Sequence, residues 1–276
     1  MHYKIVADSS ADLKSLGSFP YASAPLKIIT SEKEYVDDAD LNVEGMVMDL
    51  LAYKGKSSTA CPVVGDWLET FGDAERIFCL TISGSLSGSY NSARMAKQDY
   101  EEKYPDRRVH VIDTLSTGPE MKLIMEKIIE LVQAGADFDT ICTEIESYRK
   151  RTHLLFMLES LKNLANNGRV NVAVAKVIGL LGIRMVGKAS DEGTLQPLDK
   201  CRGEQSALRA IVKRLYEMGY QGGKLCISHC LNEAAALQLK AQILKDFISA
   251  KIEIYKTGGL CSFYAEKGGM LIGFET

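Results

Sequence analysis

Arg76–Lys103, RIFCLTISGSLSGSYNSARMAKQDYEEK, is the stretch that decides how this chain folds. Residues Arg76 to Ile82 form a short apolar run suited to a buried strand, and Tyr90 to Lys103 form a longer amphipathic stretch suited to a helix. Between them lies Ile82-Ser83-Gly84-Ser85-Leu86-Ser87-Gly88-Ser89-Tyr90-Asn91-Ser92, the densest polar constellation in the chain. A strand that passes through a Gly/Ser loop into a helix is the building unit of an open α/β sheet, whose ligands bind where the strands end.

The same alternation continues on both sides. Strands are expected at Lys4–Ala7, Pro25–Ile29 and Val109–Ile112, and helices near Val43–Tyr53, Val64–Phe71 and Pro119–Gln133, with an acidic loop from Thr30 to Asp40. After a helix around Asp137–Arg151, the run Leu154–Leu158 restarts a strand, and a helix ends near Asn166-Asn167-Gly168. Further strands are expected near Ile183–Val186, Thr194–Leu198, Lys224–Ser228, Lys251–Lys256 and Met270–Phe274, with helices at Glu204–Met218 and Asn232–Phe247. The expected fold is therefore α/β in two domains: residues 1–150 with a largely parallel sheet and flanking helices, and residues 151–276 as a second α/β domain.

At 276 residues and 46% hydrophobic content the chain can build substantial cores. A net charge of -3 and a pI near 5.9 argue against nucleic-acid binding, which needs a basic face. Seven scattered cysteines show no CxxC pair and no metal-like grouping with histidine, and read as reduced thiols of a cytoplasmic protein. No export signal precedes Tyr3-Lys4-Ile5-Val6-Ala7-Asp8. The most apolar region, Val170–Val186, is interrupted by Asn171, Lys176, Gly179, Gly182 and Arg184, so it reads as a buried helix, short of the roughly 20 apolar residues of a membrane span.

Three hydroxyl-bearing loops should gather at one sheet edge: Ser83 to Ser92, Ser57-Ser58-Thr59-Ala60-Cys61-Pro62, and Leu115-Ser116-Thr117-Gly118-Pro119-Glu120. Glycines admit a ligand close to the backbone, hydroxyls donate, and the helix that follows offers unpaired N–H groups. Any one such serine or threonine also serves as an ordinary helix cap. Neither of the first two loops holds Lys or Arg, and no GxxxxGK[ST] or GxGxxG motif is present, so a singly charged carboxylate fits better than a phosphate. No cofactor and no metal are expected.

Two catalytic readings were weighed on the residues. Gly84-Ser85-Leu86-Ser87-Gly88 has leucine where a GxSxG elbow needs its serine. Of four histidines, His2, His110, His153 and His229, only His229 falls at a ligand-facing edge, where a local hydrogen bond accounts for it. Asp8-Ser9-Ser10-Ala11-Asp12 lacks DxD spacing, and Asp8 is expected to order the loops while Ser9 or Ser10 starts a helix. A Ser- or Asp-dependent enzyme acting on a small carboxylate or acyl metabolite stays open, as does a lipid-sensing regulatory module.

Over nearly its whole length the chain resembles the DegV family. The resemblance is carried by Ile5 to Leu13, Thr59 to Pro62, Ile82 to Ala93, Val111-Ile112-Asp113, Gly168-Arg169-Val170, Arg202-Gly203 and Ile227-Ser228-His229. It implies a two-domain α/β protein, itself not an enzyme, that buries one long-chain fatty acid as ligand between the two domains and presents its carboxylate to a separate ATP-dependent fatty acid kinase subunit for phospholipid synthesis. By position it implies head-group contacts from Thr59, Ser83 and Ser87, assisted by Ser85 and Asn91, and kinase docking through Arg202. Candidate tail-lining residues are Phe156, Leu158, Leu161, Leu164, Val177, Ile178, Leu180, Leu181 and Ile183. Departures from the family pattern are Ala60, Val63, Gly84 and Met185, and Tyr264 near the place where many relatives carry a histidine, which makes Tyr264 a candidate replacement donor.

Overall fold

A computed structural model of the chain describes residues 3–171, 173 and 182–276. Its first sheet has four parallel strands in the order β2 (Tyr21–Ala24), β1 (Tyr3–Asp8), β6 (Arg76–Thr81) and β7 (Arg108–Asp113). Alternation along β6 sends Ile77 and Cys79 to one face and Phe78 and Leu80 to the other, and both faces are buried. On the first face lie α2 (Val64–Phe71) and α3 (Ser89–Lys103), which bring Trp67, Phe71, Ala93 and Ala96. The second face is covered by α4 (Pro119–Gln133) and α5 (Phe138–Tyr148), with Ile124, Ile128, Phe138 and Ile141.

The second sheet has six strands in the order β10 (Leu195–Arg202), β9 (Ile183–Ala189), β8 (Thr152–Leu158), β13 (Met270–Glu275), β11 (Lys224–His229) and β12 (Lys251–Lys256). Only β11 and β12 pair in parallel, so the largely parallel character belongs to the first sheet alone. Strand β8 splits its side chains cleanly. Leu155 and Met157 pack with α7 (Glu204–Glu217) and α8 (Glu233–Asp246), while Leu154, Phe156 and Leu158 face the opposite way, toward the first half of the chain.

Helix α4 lies between the two sheets, touching β8, β11 and β13 as well as the core of the first sheet. That is why its first seven residues, Pro119 to Met125, are all buried, Glu120 and Lys122 among them. Lys122 is neutralised by Glu126 and by Glu253 at 2.9 Å, and Thr152 donates to Glu120 at 2.8 Å.

Four details depart from the sequence expectation. The Thr30–Asp40 loop contains β4 (Glu34–Val36), and the Ser57–Pro62 loop contains β5 (Ser58–Ala60); both pair with β3 (Lys27–Ile29) in a small antiparallel sheet. The expected strand at Pro25–Ile29 is shortened to β3 and preceded by the unexpected β2, and helix α9 (Gly259–Ala265) was not expected at all. Three-residue strands and a seven-residue helix are too short for a periodic signal, and partners distant in sequence hold β5 and α9. Asp37 accepts from the Gly259 and Leu260 amides at 2.6 and 2.8 Å, which caps α9. The other elements lie within a few residues of expectation. The buried helix expected within Val170–Val186 falls largely outside the described residues, as does His2.

Burial pushes the Glu120 carboxyl up from its ordinary range to about 7. The folded state then holds a proton that the unfolded chain has released above about pH 4.5, so this group favours folding at low pH and loses that contribution as pH rises through about 7. Melting temperature should fall between pH 5 and pH 8, and Glu120→Gln, which cannot ionise, should make the fall shallower. An unchanged slope would show that Glu120 does not carry the effect.

Candidate functional site

A cavity of about 340 Å³ lies between the ends of the first-sheet strands and the inner face of β8, within the size range of small-molecule sites. Its walls are mainly apolar: Leu154, Phe156 and Leu158 come from β8, Leu271 from β13, and Ile82 and Leu260 from the first-sheet edge and α9. The alternation of β8 fixes this, because one face of the strand is committed to α7 and α8 and the other is left to line the space. Among the described lining residues there is no Asp, Glu or His.

Several polar side chains also line the cavity, Ser116, Thr117 and Thr194 among them. Thr59 Oγ1 and the Tyr264 hydroxyl are 2.8 Å apart. They share one proton in that bond and keep another to give. Thr59 is placed by the pairing of β5 with β3, opposite Ile28, and Tyr264 by α9. The amino end of α9 is held by Asp37, and its carboxyl end by Asn163, whose side chain donates to the Phe263 carbonyl at 2.8 Å. Ser87 lines the same space. Its Oγ accepts from the Ser89 amide at 3.2 Å, which leaves its proton available.

Arg169 also lines the cavity, anchored by Nε to the Leu86 carbonyl at 3.1 Å and by the guanidinium to the Asn167 carbonyl. The sequence reading missed this cation, because it asked only whether the hydroxyl loops contained Lys or Arg. Arg169 arrives from the turn after α6 (Lys162–Asn166), and its only signal in the sequence was the Gly168-Arg169-Val170 motif. The described lining therefore offers hydroxyls plus one guanidinium, a set suited to a monoanion.

The other expected contacts lie elsewhere. Ser83 Oγ donates to the Gly193 carbonyl and Ser85 Oγ to the Glu192 carbonyl, each at 2.6 Å. Neither serine lines the cavity; both hold the turn between β9 and β10, whose residues Gly193, Thr194 and Leu195 do line it. A Cβ on Gly193, at φ +74°, would lie 2.2 Å from Ser83 Oγ, so the turn docks there only as glycine. Asn91 is exposed on α3 and Arg202 is exposed at the end of β10, both away from the lining. Of the expected tail residues, Phe156, Leu158 and Leu164 line the cavity, while Leu161 and Ile183 pack in the adjoining core. Val177, Ile178, Leu180 and Leu181 lie outside the described residues.

Among the described residues, the buried carboxylate and histidine nearest these loops are engaged in hydrogen bonds. Asp8 is fully buried and receives Ser10 Oγ and Ser89 Oγ at 2.5 Å and the Ile82 amide at 2.9 Å, which leaves it ordering loops rather than activating a nucleophile. His229 is buried and its Nδ1 accepts from the Asn232 amide at 3.2 Å, the local bond expected of it. Burial raises the Cys261 thiol well above its ordinary range, away from thiolate chemistry. Among the described residues no group of three or more His, Cys, Asp or Glu could hold a metal, and no helix is long and apolar enough to cross a membrane.

Comparison with known proteins adds three findings. The sequence model of the DegV family matches residues 2–276. A DegV domain-containing protein of Streptococcus pneumoniae is 43% identical, covering 100% of this chain and 99% of the relative. Two crystal structures superpose with a TM-score of 0.98. One is a DegV family protein from Eubacterium eligens loaded with heptadecanoic acid, 42% identical with 99% of each chain covered. The other is the Streptococcus pneumoniae Fatty Acid Kinase (Fak) B3 protein loaded with linoleic acid, 43% identical with 100% of this chain and 99% of that one covered.

The roles of Ser83 and Ser85 can be separated from ligand contact. Ser83→Ala together with Ser85→Ala removes both hydrogen bonds to the β9–β10 turn, each worth about 1 kcal/mol. Hydrogen–deuterium exchange at residues 190–194 should quicken about tenfold while exchange in β6 stays as it is. Unchanged exchange in the turn would show that these serines do not hold it.

Proposed function

The chain belongs to the DegV family, and we propose that it is a carrier which buries one long-chain fatty acid and holds its carboxylate with Thr59, Tyr264, Ser87 and Arg169. The observation that carries this reading is a cavity with mainly apolar walls into which Thr59, Tyr264, Ser87 and Arg169 bring three hydroxyls and a guanidinium, alongside Ser116, Thr117 and Thr194. The two closely similar solved proteins, each loaded with a fatty acid, support it.

The energetics divide the work. Burying a chain of about 16 carbons at roughly 0.8 kcal/mol per CH₂ gives on the order of 10 kcal/mol before ordering costs, so the tail supplies affinity. Hydrogen bonds to the carboxylate supply orientation, the Arg169 bond most strongly because it is charge-assisted. Ser83 and Ser85, which the family pattern would place on the head group, act in this reading through the β9–β10 turn. Tyr264 stands in for the histidine of many relatives as the partner of Thr59.

The carrier performs no chemistry of its own and offers the carboxylate to a separate ATP-dependent kinase. This partner is supported by the likeness to a protein described as part of fatty acid kinase. Arg202, exposed at the end of β10, is the proposed docking residue. Residues 1–150 and 151–276 act as two domains that enclose the ligand between them. The Ser- or Asp-dependent enzyme reading draws no support from the site, where Asp8 is occupied by Ser10, Ser89 and Ile82.

Titration of delipidated protein with palmitate and oleate tests the proposal. Wild type should bind one equivalent; Thr59→Ala should weaken binding about tenfold, and Arg169→Gln between about 10- and 100-fold. Failure of the folded wild type to bind either acid would overturn the proposal.

A further inference from the structure

The tail end of the cavity carries more information than a place to put methylenes. Strand β8 runs along the cavity: its Leu158 end leads toward α6, where Asn163 binds the Phe263 carbonyl next to Tyr264, and Leu154 lies four residues earlier. At about 3.3 Å per residue those leucines stand roughly 13 Å apart, so Leu154 marks the far end. There Leu115, Leu154 and Ala189 line both the lipid cavity and a second cavity of about 330 Å³. The partition between the two is one residue thick.

The second cavity has a different character. Glu120, Arg149, Thr152, His153 and Asp191 line it, and Arg149 Nε is buried without a hydrogen-bond partner. A bare hydrocarbon end gains nothing by entering a chamber walled with such groups, and it would further isolate them from water. The partition therefore stands where an apolar ligand has to stop.

One member of that partition is held in an unusual way. Leu115 has φ 53°, a left-handed conformation that branched and bulky residues rarely adopt. It is kept there by its amide donating to Asp113 Oδ1 at 3.1 Å and by the β9–β10 turn behind it, where a Cβ on Gly193 would lie 3.0 Å from the Leu115 Cα. A glycine would occupy this backbone without strain, so leucine at this position is accounted for by its side chain, which fills the wall.

We propose that Leu115 and Leu154 form a stop that sets the greatest chain length this protein accepts, selecting fatty acids with an unsubstituted methyl end that just reaches the wall. This inference rests on the carrier reading above and adds the residues that set its specificity. The test is a competition series of saturated acids from C14 to C22 against wild type, Leu154→Ala and Leu115→Gly. In wild type, affinity should rise with length to a limit and then fall. In each variant the limit should move out by two to four carbons, and the preference for C20 over C16 should improve at least tenfold relative to wild type. Leu115→Gly keeps the test sound if Leu154→Ala loosens the core, since glycine suits the Leu115 backbone. Variants that bind palmitate yet keep the wild-type length profile would overturn the stop while leaving the carrier reading intact. A wild type that binds none of the acids would overturn both.

Discussion

Asp8, buried at the end of β1, receives hydrogen bonds from Ser10, Ser89 and the Ile82 amide, and through them joins the ends of β1 and β6 to the start of α3. Burial drives its carboxyl upward, and those three bonds oppose the rise, so the group is tolerated only while all of them are made. Asp37 and Asp12 do related work nearby: one caps α9, and the other accepts from the Gly258 amide at 2.7 Å and Ser228 Oγ at 3.3 Å. Buried carboxylates thus hold the strand ends, α9 and the second sheet in one arrangement. Ser87, beside the Ser89 that Asp8 holds, and Tyr264, on the α9 that Asp37 caps, take their positions from it.

From that frame the site divides into parts with separate physical duties. One face of β8 and its neighbours give an apolar surface, because the other face is already used by α7 and α8. Thr59 and Tyr264, 205 residues apart, meet only because β5 is stitched to β3 and α9 is fixed at both ends. The serine-rich loop closes the site more than it touches ligand, with Ser83 and Ser85 holding the β9–β10 turn and Ser87 left facing the cavity. Affinity from the tail and orientation from the head can then vary independently.

Much of this was legible in the sequence, and the failures have physical causes. The strand–loop–helix stretch Arg76–Lys103 and the long helices Val64–Phe71 and Pro119–Gln133 announced themselves, since their periodicity is imposed by burial against a sheet. The short strands at Glu34–Val36 and Ser58–Ala60 and the helix Gly259–Ala265 did not, because the first is only three residues of a local hairpin and the other two are held by partners far along the chain. Thr59, Ser87 and Tyr264 were named from loop chemistry and family likeness, and they do come together. The guanidinium was missed because electrostatics at a site is set by what folding brings in, and Arg169 arrives from the far side of the chain. Ser83 and Ser85 show the converse: a hydroxyl beside a site in sequence can be taken up by a backbone carbonyl that no local pattern reveals.

The central claim is that the cavity exists to hold one lipid carboxylate. Native mass spectrometry of the full chain, purified without added lipid, tests it most directly. The account predicts a mass increment equal to a single long-chain fatty acid per chain, released on denaturation and sharply reduced in Arg169→Gln. A chain that carries no such increment, and acquires none after incubation with oleate, would contradict it.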